Sequence, residues 1–306
     1  MRESLSTDHS AARPGFMADA GTYVGEPVLD FVRAPQMVQT MSDTGASKKD
    51  LPAAQIFVRG MFGGALLAFG TSLAFLAIAQ GVPPIVAALL FPTGFIVINL
   101  LGVDLITGYF ALVPLAWIHG RMTFGELLRA WFWVWLGNLA GGVLYAGMLW
   151  AGLTMTGRAP DATGLAAVAT KIGLLKTVHY EQFGTAGAFA AFIKAMLCNW
   201  MVTLGVVLPM TSRSVIGKAV ATFVPIYMFF AMGYEHMVVN MFIIPIAMFF
   251  GAPISMSDFW VGNELPVTIG NFAGGFLFTG AALGWLFHTR RTTEEPIAPL
   301  GRPATV

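Results

Sequence analysis

Three ionisable side chains stand where apolar sequence would otherwise be continuous. Asp104 lies in Leu101-Gly-Val-Asp-Leu-Ile-Thr-Gly108, and Glu235 and His236 lie in Gly233-Tyr-Glu-His-Met-Val-Val-Asn240. An ionisable group inside a bilayer is costly and therefore marks function by default. His236 has the most informative chemistry, because imidazole titrates near neutral pH and can pass a proton on. Asp104 and Glu235 have a structural use as well: a carboxylate can cap the free N–H groups of a helix start and sit favourably in its dipole. Both are read first as loop supports. Flanking glycines, the Thr107 hydroxyl and, after the second string, Pro245 favour an interrupted helix at each place. The other histidines (His9, His119, His179 and His288) fall outside the apolar runs or at their ends. They lack ligand spacing, so neither a metal nor another cofactor is expected.

Both strings sit in a chain suited to a membrane. Of 306 residues, 56% are hydrophobic and 11% are charged, against roughly 25% charged in a soluble domain. No charge occurs between Gly60 and Val103, between Ala130 and Gly157, or between Leu265 and Phe287. Each stretch is long enough for the ~20 apolar residues that cross a bilayer. This excludes a soluble enzyme and a disordered chain. A net charge of +1 with no basic face excludes a nucleic-acid binder. Cys198 is the single cysteine, so no intrachain disulfide can form. The first apolar run begins near Ile56 after a polar leader that does not read as a secretory signal.

Apolar units at about 55–81, 84–117, 124–153, 184–210, 215–250 and 264–288 predict six transmembrane spans. The fold class is thus an all-α membrane protein. A polar cytoplasmic leader at 1–50 precedes a six-span domain at 51–288, and a cytoplasmic tail follows at 289–306. The leader reads first as solvated chain, with an amphipathic helix around Pro27–Thr40 as the alternative. Bases gather in the leader, at Arg121 and Arg129, at Arg213 and Lys218, and at Arg290 and Arg291. The positive-inside rule then puts both termini in the cytoplasm.

The spans also repeat. Phe57-Val-Arg-Gly-Met61 matches Phe192-Ile-Lys-Ala-Met196, and Gly137-Asn-Leu-Ala-Gly-Gly142 returns as Gly270-Asn-Phe-Ala-Gly-Gly275. Gly70 pairs with Gly205 and Pro92 with Pro225 at nearly the same offset. The halves run from about 55 to 153 and from about 184 to 288. Three spans per half is an odd number, so the second half must cross inverted. Transporters and channels built this way hold their site between the halves, at interrupted helices. Spans 2 and 5 are those helices here. Closely spaced glycines (Gly63, Gly64, Gly70, Gly137, Gly141, Gly270 and Gly274) suit tight packing within the protomer.

These strings resemble the formate/nitrite transporter family. The likeness rests on Gly102-Val-Asp-Leu-Ile-Thr-Gly108, Cys198-Asn-Trp-Met-Val202, Gly233-Tyr-Glu-His through Pro245, and Asn263-Glu-Leu-Pro-Val-Thr-Ile-Gly-Asn271. It covers the chain from about Phe57 to Leu286. The resemblance implies an aquaporin-like protomer with its own pore, a homopentamer, and a small monovalent anion as substrate. It implies His236 as the pore histidine, with Thr107, Asn199 and Asn271 as polar neighbours in a substrate and proton relay. It implies an external apolar ring of Phe91, Val202 and Phe229, and an internal one of Leu105 with Phe95. It also implies a lysine on the external approach to span 4. The family's spacing lands on Phe183 here, and Lys176 takes that role if Tyr180–Ala186 is an insertion, ahead of Lys171. Lys194 reads as an anchor at the span, repeating Arg59. Ile106 stands where the family commonly has Phe.

A bare anion cannot cheaply cross apolar rings, and buried carboxylates tend to neutralise instead. Moving a weak acid into low dielectric favours its protonated form. The expected function is therefore proton-coupled passage of formate or nitrite through each protomer of a bacterial inner-membrane protein, not an enzyme. Two other readings compete. A neutral-solute channel would show paired Asn-Pro-Ala boxes, and the chain has none. A family relative moving hydrosulfide, acetate or lactate would look the same in sequence.

Overall fold

A computed structural model describes residues 30–287. The tail at 289–306 and residues 1–29 of the leader lie outside the described residues. Secondary structure among the described residues is helical, apart from one isolated antiparallel bridge between Phe31 and Ser212.

The helices run in chain order as α1 (Ala34–Ser47), α2 (Ala53–Ala79), α3 (Pro84–Leu101), α4 (Ile106–Ile118), α5 (Phe124–Leu153), α6 (Leu165–Lys176), α7 (Gly184–Val207), α8 (Val215–Ala231), α9 (Met237–Phe249) and α10 (Asp258–Leu286). Five of them, α2, α3, α5, α7 and α10, are long and apolar enough to cross a membrane. Their outward faces carry exposed Phe62, Phe69, Leu144, Phe189 and Leu277, as a lipid-facing surface requires. The shorter α4 and α9 lie at the centre. Every residue from Ile106 to Ala116 and from Met237 to Ala247 is buried, the signature of a helix apolar all round.

Small residues bring the long helices together. α2 packs on α5, and a β-carbon on Gly64 or Gly141 would overlap the carbonyls of Asn138 or Met61 across the seam. α7 packs on α10 in the same way, through Gly270 and Gly274 against Phe192 and Met196. The glycines expected to serve packing inside the protomer do so, because only a missing side chain lets backbones approach this closely.

Helix continuity fails where the sequence is polar. α3 ends at Gly102 with φ +68° and α8 ends near Gly233 with φ +63°. At both, the following amide bonds back into the last turn: Val103 N–H to Ile98 O at 3.2 Å, and Tyr234 N–H to Phe229 O at 3.2 Å. This left-handed closure favours glycine because it carries no β-carbon.

Four features differ from the sequence reading. The end of the leader is the ordered helix α1, which seats Met37, Val38 and Met41 against Leu112, Leu115 and Val207. The connection after α5 contains α6. α10 begins at Asp258, ahead of the expected 264, with π-helical turns at Asp258–Glu264. Pro245 does not break its helix; α9 runs through it, as α4 runs through Pro114.

Candidate functional site

Extended backbone carries His236 (φ −121°, ψ 114°) immediately before α9. Asn271 of α10 clamps that segment. Its Oδ1 accepts from Met237 N–H at 2.9 Å, and its Nδ2 donates to Glu235 O at 2.9 Å and Ala195 O at 2.8 Å. His236 itself caps α9, its Nδ1 accepting from Val239 N–H at 3.2 Å. Because Nδ1 offers a lone pair, the neutral ring carries its proton on Nε2. That Nε2 is fully buried and has no hydrogen-bond partner among the described residues. Phe229 stacks on the imidazole at 5.5 Å between centroids, and Phe91 meets Phe229 edge-on at 5.4 Å.

Asn199 Oδ1 and Thr107 Oγ1, in the residues next to this loop, are among the other buried polar atoms that share this condition. Asn199 of α7 donates from Nδ2 to Thr107 O at 3.1 Å and Asn271 O at 2.7 Å, leaving its Oδ1 unpartnered. Thr107, in the first turn of α4, leaves its hydroxyl unpartnered too. Buried polar groups are nearly always satisfied, so such a set is a signal that polar species visit. Asn271 does not belong with them. Its amide is spent on backbone, and its influence runs through the placing of His236.

Glu235 turns away from the helix start. It accepts from Lys176 Nζ at 2.9 Å, Asn240 Nδ2 at 2.9 Å and Tyr180 OH at 3.0 Å. Lys194 Nζ donates to Tyr180 OH at 3.2 Å, and Asn263 ties Asn240 to the carbonyl of Lys176. Lys176 is thus placed beside the histidine loop, whereas Phe183 is exposed with no such contact and Lys171 lies on the exposed side of α6. Lys194, read as an anchor, belongs to this network.

The first interruption is built alike. Asp104 pairs with Lys48 at 2.8 Å and Arg59 at 2.7 Å, and Arg59 also holds Gly102 O. Asn138 supplies the clamp, accepting from Ile106 N–H at 2.8 Å and donating to Asp104 O at 2.9 Å and Gly60 O at 2.8 Å. Helix capping by the two acids, as expected, is therefore corrected. Basic partners take the carboxylates, and an asparagine from the neighbouring helix takes the backbone. Such buried pairs need several hydrogen bonds to offset desolvation, and both have them.

Among the expected apolar residues, Phe91, Phe95, Val202 and Phe229 are buried in one core cluster with Leu105. Leu105 and Phe95 also line a cavity of about 500 Å³ that holds Lys48, Arg59, Asp104 and Lys218. Sequence reasoning missed Lys48, Tyr180, Asn138, Asn240 and Asn263. Three of these had a visible signal: Asn138 sits in the repeated Gly-Asn string opposite Asn271, and Asn240 and Asn263 stand within the strings that carry the family resemblance.

Ahead of α1 in the chain, Asp30 straps the leader to the α7–α8 connection, accepting from Arg213 and Ser214 N–H at 2.8 Å each. The backbone N–H of Arg213, then the Ser212 hydroxyl, hold its carboxyl below the ordinary value of 3.8.

Buried central helices with an unpartnered polar set, inside a ring of membrane-length apolar helices, define an integral membrane protein of the transport class. The Formate/nitrite transporter family model matches residues 35–285, and the chain belongs to that family, whose members are transporters and not enzymes. It is 33% identical over 257 residues to a probable formate transporter of Methanothermobacter thermautotrophicus, covering 78% of this chain and 90% of that protein. It is 30% identical over 299 residues to the formate channel FocA of Haemophilus influenzae, covering 89% and 100%. Its fold matches a solved FNT family ion channel with TM-score 0.69 at 26% identity, over 83% of this chain and 99% of that one. A second solved structure, a pentameric formate channel with formate bound, shares the fold at TM-score 0.63 and 24% identity, over 78% and 98%.

Proposed function

We propose that the protein passes a small monovalent weak acid, formate or nitrite, across a bacterial inner membrane, together with a proton, through a pore in each protomer of a homopentamer. Six spans in two inverted three-span halves, with spans 2 and 5 interrupted, form the aquaporin-like protomer, and both termini are cytoplasmic. The observation that carries this reading is the unpartnered trio of His236 Nε2, Thr107 Oγ1 and Asn199 Oδ1, set in a fully buried apolar surround.

The physics follows from that surround. The Lys176–Glu235–Lys194 group leaves one net positive charge at the external approach and concentrates the anion. Phe91, Phe229 and Val202 then strip its water, and low dielectric raises the acid's pKa until it takes a proton from the vestibule. With Nδ1 engaged by Val239, His236 serves as a neutral Nε2–H donor to the transiting species, a narrower part than the relay expected from sequence. Thr107 can donate or accept a hydrogen bond beside it, and Asn199 Oδ1 can accept one from the O–H of the acid. Leu105 and Phe95 close the internal side above the basic cavity. Strong-acid anions such as chloride cannot be neutralised and are refused.

The test is formate uptake by proteoliposomes carrying wild type and His236→Phe. The variant should assemble as a pentamer and lose uptake. Undiminished uptake would refute the assignment, and water or glycerol permeation by the wild type in a swelling assay would favour the neutral-solute channel instead.

A further inference from the structure

Glu264 belongs neither to the unpartnered trio around His236 nor to the ion pairs of the two loops. It sits in the π-helical opening turns of α10, is 2% exposed, and neither carboxyl oxygen has a hydrogen-bond partner among the described residues. Its neighbour Asn263 is tied to Lys176, Glu235 and Asn240, which sets Glu264 next in the chain to the Lys176–Glu235 network. An ionised carboxylate without partners in such a place is strongly disfavoured, and two carboxylates near one lysine do not both ionise readily. An apolar side chain would fill the position without this penalty. The equivalent position of the first half, 133 residues earlier, is Trp131.

We propose that Glu264 is a buried carboxylic acid, neutral at rest, whose ionisation controls admission of a small carboxylate at the Lys176–Glu235 cluster. The inference rests on the weak-acid transport reading and assigns the pH control of that same entrance. Ionisation of Glu264 adds one negative charge to the Lys176–Glu235–Lys194 group, which already has Glu181 and Asp258 nearby, and so weakens its attraction for an anion. The titratable and charged groups on the elements around it are Lys176 of α6, Glu235 and His236 before α9, His179, Tyr180 and Glu181 of the Val178–Glu181 turn, Lys194 and Cys198 of α7, Tyr109 of α4, and Asp258 of its own helix. α9 contributes only the uncharged Asn240 to the cluster.

The experiment compares wild type, Glu264→Gln and Glu264→Leu as purified full-length protein. Formate uptake into proteoliposomes is followed against external pH at fixed internal pH, and infrared difference spectra are recorded over the same range. Wild-type uptake should fall with rising pH more steeply than the formic acid concentration does. Glu264→Gln should match wild type at acid pH and exceed it several-fold on the alkaline side. A neutral-acid carbonyl band that titrates in wild type should be missing from both variants. Superimposable pH profiles for wild type and Glu264→Gln, or a wild type without that band at any pH, would overturn the proposal. Wild type without formate uptake at any pH would instead remove the transport reading, and the infrared band would still decide whether Glu264 holds a proton.

Discussion

The two helix interruptions are nearly the same construction with one side chain exchanged. Each ends a helix on a left-handed glycine, Gly102 or Gly233. Each carries an acid paired with a lysine at 2.8 or 2.9 Å, and each is clamped by an asparagine through three hydrogen bonds. Next to the acid stands Leu105 in one and His236 in the other. A shared scaffold that presents an apolar residue once and an imidazole once separates what holds the loops from what the loops do. The ion pairs and clamps are the holding part. The imidazole is the proposed working part.

The acids differ in how redundantly they are held, and this gives the largest expected effect. Lys176→Met leaves Glu235 with no cation in contact and should cost about 3–5 kcal/mol, seen as a large drop in thermal stability in detergent. Lys48→Met leaves Asp104 paired with Arg59, and should cost about 1–3 kcal/mol. Equal losses would mean that Arg59, 37% exposed, gives no support.

The clamps come next. Asn138→Ala and Asn271→Ala each strand three backbone groups, so thermal shifts should be alike, at about 1–3 kcal/mol per stranded group at most. Transport should not be alike. Asn271→Ala frees the loop that aims His236 and should depress formate uptake well beyond Asn138→Ala. Equal uptake would break the distinction between the two loops.

The smallest effect concerns the segments leading into each half, where Asp30 and Asp161 occupy corresponding places 131 residues apart. Burial raises the Asp161 carboxyl, but N–H groups of Ala166 and Thr163 outweigh it, so both acids titrate below the ordinary 3.8. A depressed carboxyl stabilises fully above its unfolded pKa and loses that contribution as pH falls through the folded value. Asp30→Asn should therefore loosen the leader at neutral pH, read as faster proteolysis around residues 30–50, with the difference from wild type vanishing in acid. Asp161→Asn should leave the leader unchanged.

Much of this was legible because it is written in local pattern. Charge-free runs exposed the long helices, and Gly102 and Gly233 marked the interruptions. His236 stood out as a titratable group among apolar neighbours. What stayed hidden depends on distant partners. Asp104 and Glu235 looked like caps because a cap is a local device, while their actual partners lie 45 to 59 residues away. Lys48 reads as part of a solvated leader because the amphipathic pattern falls at Pro27–Thr40, short of it, and the packing of α1 on α4 that carries the helix further is a distant contact. Lys176 is reached only through an assumed insertion at Tyr180–Ala186, since it ends α6 and the Val178–Glu181 turn lies between it and α7. Glu264 lies inside the Asn263–Asn271 motif, yet nothing in that motif says that its carboxyl is buried without a partner.

The central claim is that the substrate passes His236 as a neutral acid, its charge cancelled before the apolar rings. It is tested most directly by measuring formate uptake in proteoliposomes while a potassium gradient with valinomycin sets the membrane potential. Electroneutral passage predicts that uptake is unchanged by the potential and that lumenal acidification accompanies every formate taken up. Uptake that rises and falls with the potential, without matching acidification, would show that the bare anion crosses and would contradict the account.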